Sequence, residues 1–314
     1  MLAFMPGVAA HAAGARPMQG RLRSGLFEIE YASSDEALAR QSAQILEQSL
    51  AEFSEHLPGG DEAIGVVICH TLEQFRQRVG AFGKARVAGV AKSEQSLIIV
   101  KAPRLSPPGQ DYRGTLRHEL IHVLIARNTG LDNVPRWFNE GVAMVVSHEL
   151  RWSSTFRIAR MYTRNRLIPY PELNFAFAPR GNETVFGDAY AQSLSMTRYL
   201  IERIGEDAFW DLVHALDTED FDQALRRHAG LTPGALHDAW RRSLWKVALV
   251  ASLVSGFTLF QFAALLVVLA YLRKRHHGRQ ILRQWEEEEA GVPFLTPRDL
   301  ESDSVYLWED DEEY

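Results

Sequence analysis

The sequence predicts an α+β fold: a small mixed sheet toward the N-terminus, a mostly helical C-terminal half, and one transmembrane helix after it. Three observations carry this. Four short runs, Phe27–Tyr31, Ala63–Cys69, Val87–Ala91 and Ser96–Val100, either alternate apolar with polar residues or stay apolar over the length of a strand. From Gly114 onward, apolar residues recur at the three- and four-residue spacing of helices. Val247–Leu272 is a stretch of 26 residues without a charge.

Taken in order, Phe27–Tyr31 alternates as a half-buried strand does, and Ser33-x-x-Glu36 reads as a capping box opening a helix that ends near Pro58. Its apolar positions, Leu38, Ile45, Leu46, Leu50, Phe53 and Leu57, share one helical face and predict packing on a sheet. Ala63–Cys69 is a buried strand with Cys69 as apolar filler, and Leu72–Val79 is a short helix. Val87–Ala91 and Ser96–Val100 follow as strands before the loop from Pro103 to Gly109. Gly114–Asn128 is a helix with Gly130 placed to stop it, and Pro135 stands at the start of another through about Glu149. Beyond it, Tyr190–Ile204, Ala208–Leu216 and Pro233–Trp245 are helical, the last leading into the uncharged stretch.

Only Ser252, Ser255, Thr258 and Gln261 interrupt the apolar character of Val247–Leu272. A helix of that length reaches roughly 39 Å, enough to span a hydrocarbon core of about 30 Å with tilt; the alternative is a buried core helix. Arg273, Lys274, Arg275, Arg279 and Arg283 on the far side outweigh Arg241, Arg242 and Lys246 on the near side, which predicts a cytoplasmic C-terminus. Residues 1–19 read as a signal-peptide remnant, because Leu2–Ala13 is apolar and Ala10-His11-Ala12 has a small-x-small pattern, although a basic n-region is lacking. The expected place is therefore the cell's inner membrane, single-pass, with the preceding domain extracytoplasmic or periplasmic. If the N-terminal segment is no export signal, that domain is cytoplasmic instead. Residues 273–314 form a basic flank and an acidic, disordered tail, Glu286–Glu289 and Glu309–Glu313 supplying the acidic runs.

The 314 residues, 46% of them apolar and 24% charged, exclude a disordered chain. A net charge of −6, with the basic residues clustered beside the uncharged stretch, gives no surface for nucleic acid. One cysteine excludes an intramolecular disulfide.

The chemistry lies in His118-Glu119-Leu120-Ile121-His122, an H-E-x-x-H pattern on a predicted helix. Residues four apart project from one helical face, so both imidazoles can reach one Zn²⁺, with Glu119 close to the metal's open position. A catalytic zinc needs a third protein ligand and leaves a place for water. Glu140 answers that need from the next helix, in Pro135-Arg136-Trp137-Phe138-Asn139-Glu140-Gly141, with 17 residues between it and His122. His70, His148, His214, His228 and His237 have no ligand-like spacing.

The H-E-x-x-H helix followed by P-x-W-F-x-E-G resembles the gluzincin metallopeptidases, the clan that includes thermolysin, and especially its peptidase-MA-like families. The likeness covers roughly Phe27–Trp245 and also takes in Ala189-Tyr190-Ala191-Gln192-Ser193. It implies a zincin-like domain over residues 20–245, before the membrane helix that the uncharged run predicts at 247–272. It further implies that His118, His122 and Glu140 bind Zn²⁺ and that Glu119 is the catalytic base, taking a proton from water and passing it to the departing amine. Tyr190, from its place in the resembling stretch, is the candidate donor to the oxyanion; Tyr162 and Tyr170 stay open as alternatives. Thermolysin-like sites often carry an acidic residue four positions after the ligand glutamate, but here that position is Met144, so the group orienting the histidines must come from elsewhere. An edge strand flanks the cleft in the resembling enzymes, and Ser96–Val100 would fill that place unless it is a core strand.

The function expected is that of a membrane-anchored, zinc-dependent peptidase acting on peptides or proteins; the sequence names no partner for the cytoplasmic tail. The alternative is a catalytically silent, zinc-containing membrane scaffold that binds peptides or partner proteins; the intact Glu119 argues against it.

Overall fold

A strand, β2 (Phe27–Tyr31), forms where the alternation predicts it: Phe27, Ile29 and Tyr31 turn into the core and Glu28 and Glu30 turn away. The computed structural model describes residues 20–80, 87–130, 132–148, 152–177 and 183–291, apart from the side chains of 152, 153, 183, 252–259 and 277–291. The expected signal-peptide remnant, residues 1–19, and the end of the tail, residues 292–314, lie outside the described residues.

An additional strand, β1 (Gly20–Ser24), pairs antiparallel with β2 through a turn in which Gly25 adopts a φ of 53°. The rest of the sheet comprises β3 (Ile64–Cys69), β4 (Gly89–Lys92) and β5 (Leu97–Lys101), in the order β1-β2-β3-β5-β4. The pairs β2/β3 and β3/β5 are parallel, whereas β4 runs antiparallel to β5, so the sheet is mixed as expected. The register sets Val66 beside Ile98 and Val67 beside Ile99, which separates two faces.

One face carries the main core: Ile64, Val66, Ile68, Ile98 and Val100 meet α1 (Glu36–Phe53) and α3 (Tyr112–Asn128). On the other, Val67, Cys69 and Ile99 meet Phe75 and Val79 of α2 (Leu72–Val79). Cys69 is fully buried there, and burial pushes its thiol up to about 11.

Two expectations are corrected. Ser96–Val100 does not form the sheet edge; β5 lies between β3 and β4, and the edge is β4. The physical reason is burial on both faces: Ile98, Ile99 and Val100 are wholly covered, as an interior strand requires, while Ala91 and Lys92 are half-exposed. Nor does Ser33-x-x-Glu36 form a capping box. Residues Ser33–Asp35 make a 3₁₀ turn with no side-chain cap, and Glu36 pairs with Arg40 at 2.7 Å. The Asp35 carboxylate is already engaged, accepting from Arg104 Nη1 at 2.9 Å and Nη2 at 3.0 Å and lying 2.9 Å from His70 Nδ1. A complete capping box stands instead at Thr71 and Gln74, opening α2.

The helical half comprises α4 (Arg136–Val146), α5 (Trp152–Thr163), α6 (Tyr170–Leu173), α7 (Glu183–Ile204), α8 (Glu206–Ala215), α9 (Phe221–Ala229) and α10 (Pro233–Gly291). Helix α4 packs on both α3 and α7. Gly141 permits the second contact, since a Cβ there would sit 2.9 Å from the Ser193 carbonyl oxygen and collide with Thr197 Oγ1.

The chain divides into two units, Met1–Ala251 and Ser252–Tyr314. In the first, α10 contributes Leu236, Trp240 and Leu244 to the core. In the second, α10 continues to Gly291 and leaves Phe260, Leu266 and Val267 at least 60% exposed. The stretch Val247–Leu272 is helical throughout, with the side chains of 252–259 outside the described residues. Among the described residues, no helix is long and apolar enough to cross a membrane. Residues 273–291, expected as a flank and the start of a disordered tail, continue the helix; Arg, Gln, Leu and Glu favour it, and no proline intervenes before Pro293.

Candidate metal centre

Helix α3 is anchored by Leu116, Leu120, Ile121 and Leu124, all fully buried, and this fixes which way His118, Glu119 and His122 face. Arg117 adds a tether to α1: both its Nη atoms lie 2.7 Å from the Glu52 carboxylate oxygens. Helix α4 enters from Pro135 and is held by Trp137 and Phe138, whose rings meet Phe221 at 5.6 and 4.9 Å. One turn further, Glu140 faces α3.

The result is a triangle of donor atoms. His118 Nε2 and His122 Nε2 are 3.0 Å apart, and Glu140 Oε2 lies 3.5 Å from the first and 3.4 Å from the second. Ligands at zinc distances of 2.0–2.1 Å in a tetrahedron stand about 3.3 Å apart, so these edges fit one ion. Glu140 Oε2 is buried and makes no hydrogen bond of ordinary geometry, as a ligand oxygen reserved for a cation would not. His118, His122 and Glu140 form the metal-capable group among the described residues.

His122 is oriented by Asn139, its Nδ1 lying 2.6 Å from Asn139 Oδ1. An amide oxygen only accepts, so Nδ1 donates and the Nε2 lone pair is left for the metal. The position four residues after Glu140 is Met144, buried and without a donor; the orienting group stands one residue before the ligand instead. Sequence reading missed Asn139, and its adjacency to Glu140 was the available signal.

Burial alone would raise the Glu140 carboxyl, but the flanking imidazoles, His122 foremost, outweigh it and hold the group well below the usual carboxylate range. Glu119 behaves oppositely. Burial raises it, and the neighbouring Glu140 charge adds to that, against His118, His122 and a hydrogen bond from the Ala91 backbone. Its carboxylate lies on the β4 edge: a Cβ at Gly89 would stand 2.8 Å from Glu119 Cγ and 2.9 Å from Oε1.

Tyr190 on α7 reaches this cluster. Burial, then the Glu140 and Glu119 charges, push its phenol well above the usual value. Tyr170 sets its ring 6.3 Å from that of Trp137, and Tyr162 lines a cavity with Arg241. Of the three tyrosines considered, Tyr190 is the one brought to Glu119 and Glu140. Arg136 stands at the rim, with Nε 3.9 Å from Glu140 Oε1 and its guanidinium over the Phe177 ring. Other histidines go elsewhere: His56 stacks on Trp210, His214 meets the His56 carbonyl, and His237 meets the Ile168 carbonyl.

Two imidazoles from one helix and a carboxylate from the next, beside a mixed sheet and with a glutamate alongside, make up a candidate zinc centre of the zincin type. The family model for the Peptidase MA superfamily matches residues 61–246, and the chain belongs to that superfamily. Among solved structures, the M1 zinc metallopeptidase from Deinococcus radiodurans is similar at 14% identity and a TM-score of 0.34. A single-residue variant from the same organism gives 16% and 0.38. Each comparison covers 71% of this chain and 50% of the other, so this chain spans about half the length of those proteins. No curated protein matches.

Proposed function

We propose that this protein is a membrane-anchored zinc peptidase that hydrolyses peptide bonds, with His118, His122 and Glu140 as metal ligands and Glu119 as general base. The observation that carries the reading is the donor triangle with edges of 3.0, 3.5 and 3.4 Å, flanked by a buried carboxylate that is not part of it. When bound, zinc supplies Lewis-acid polarisation of a carbonyl and acidifies a water. Glu119, its carboxyl raised by burial, is poised to accept a proton from water and release it to the leaving amine. The Tyr190 hydroxyl, close to the Glu140 and Glu119 charges, is a donor for a developing oxyanion. The antiparallel edge of β4, on which Glu119 rests, offers unpaired backbone groups to an extended peptide.

The proposed organisation is a peptidase domain at 20–245, a spanning helix at 247–272, and a tail from 273 onward. The uncharged run and the exposure of Phe260–Leu272 support the anchor, and the flanking Arg273, Lys274 and Arg275 support a cytoplasmic tail in an inner membrane. The test is digestion of a peptide library by the full chain, with and without chelator, beside Glu119→Gln. Cleavage is expected to need metal and to vanish in the variant while zinc stays bound. Undiminished cleavage by Glu119→Gln would overturn the base, and absence of any metal-dependent cleavage would overturn the activity.

A further inference from the structure

Helices α5 and α10 face each other across two cavities in the first unit and run in opposite directions. Tyr162 and Thr163 line one cavity with Asp238, Arg241 and Arg242, whereas Ser154 and Ile158 line another with Ser243 and Val247. Arg241 Nη2 also donates to Asn165 Oδ1 at 3.2 Å, which fixes the register.

Each helix shows an exposed stripe at four-residue spacing, and the stripes change character toward the same end. On α10, Arg241 is followed by Trp245 and Leu249, and Arg242 by Lys246 and Val250. Trp245, Leu249 and Val250 are 53, 51 and 60% exposed. On α5 and the turn that ends it, read backward because the helix is antiparallel, Arg164 is followed by Arg160 and Phe156, the last 42% exposed. Basic residues therefore stand at one level of the two helices, and apolar ones about two turns further along each. These cations make no ion pair among the described residues, and Asp238 is the carboxylate that lines their cavity.

From Arg241 to Val250 the helix rises roughly 13 Å. That depth matches a headgroup layer of some 5–8 Å together with the upper acyl region. An order of cation, tryptophan, then aliphatic side chain is the order of a membrane interface, where arginine and lysine reach back to phosphates and an indole sits at the boundary. An acidic protein surface would satisfy the arginines but would leave the apolar end of both stripes in water.

We infer that this α5–α10 corner is a docking surface for an anionic phospholipid bilayer, with Arg160, Arg164, Arg241 and Arg242 on headgroup phosphates and Phe156, Trp245, Leu249 and Val250 entering the interface. The inference rests on the membrane reading proposed above and adds to it the lipid class and the face of the peptidase domain that meets the lipid. Arg160 and Arg164 lie far from the apolar run in sequence and join it only through the fold.

The test is reconstitution of the full chain into phosphatidylcholine vesicles, with or without phosphatidylglycerol, followed by flotation and by the mobility of trace spin-labelled lipids. Spin-labelled phosphatidylglycerol is expected to be held several-fold more than phosphatidylcholine by the native chain. Charge reversal by Arg160→Glu with Arg164→Glu, or by Arg241→Glu alone on the other helix, is expected to reduce that preference. Flotation with both vesicle types but without preference, or a preference unchanged in both variants, overturns the docking surface alone. Flotation only with phosphatidylglycerol vesicles supports the surface and removes the spanning helix. Failure to float with either overturns the membrane reading and this inference together.

Discussion

The Nδ1 of His122 donates to Asn139 Oδ1 at 2.6 Å, so the residue just before Glu140 on one helix orients a candidate metal-binding imidazole on another. The bond locks the imidazole tautomer that presents Nε2 to the ion. Asn139→Ala is expected to weaken zinc binding by about 10–100-fold, measured by competition with a chelator, with little change in thermal stability of the metal-free chain. Affinity equal to that of the native chain would show that the hydrogen bond does not set the ring.

Tyr190→Phe removes a hydroxyl close to the Glu140 and Glu119 charges and keeps the ring between Phe177 and Phe186, at 5.2 and 4.9 Å. If the hydroxyl serves the transition state, kcat is expected to fall about a hundredfold or more with KM little altered. A change confined to KM would place it in substrate binding instead.

Gly89→Ala would press a methyl group into Glu119, since the added carbon stands 2.8 Å from Cγ and 3.0 Å from Thr115 Cγ2. Rotation of the Glu119 side chain away from its place is the available relief. Hydrolysis is expected to drop by at least about tenfold while zinc content remains full, a split that metal analysis alongside turnover would reveal.

Asp35 is 7% exposed, and burial alone would raise its carboxyl; Arg104 and then His70 outweigh that and lower it. Because the folded pKa lies below the unfolded one of about 3.9, the pairing contributes in full above that value and is lost as pH falls through the folded pKa. Urea titrations of Asp35→Asn are expected to show a shallower acid limb than those of the native chain. At neutral pH, Arg104→Ala is expected to cost about 1.5–3 kcal/mol, because it strands a buried carboxylate.

Much of the site was legible because its chemistry is local. The spacing of His118 and His122 is a helical turn, and Glu140 follows within one helix–turn–helix return. Strand β2 and helix α2 stand at the expected bounds for the same reason, each being written in a short run of side chains. What escaped depends on strand order or on contacts between elements. The run of Leu97–Val100 does not reveal whether a strand is interior or at the edge, and β4, short and half-exposed, turned out to be the edge. Strand β1 was missed because Arg21 and Arg23 alternate with Gly20, Leu22 and Ser24, of which only Leu22 is strongly apolar. Asn139 was missed because a partner for His122 was sought after Glu140 and not before it.

The buried thiol of Cys69 sits in an interior strand with its pKa pushed to about 11, so almost none of it is thiolate at neutral pH and little reagent can approach it. Alkylating agents should therefore leave the folded enzyme untouched, and a single maleimide label appears only when the sheet opens. One atom of sulfur thus serves as an internal gauge of global unfolding.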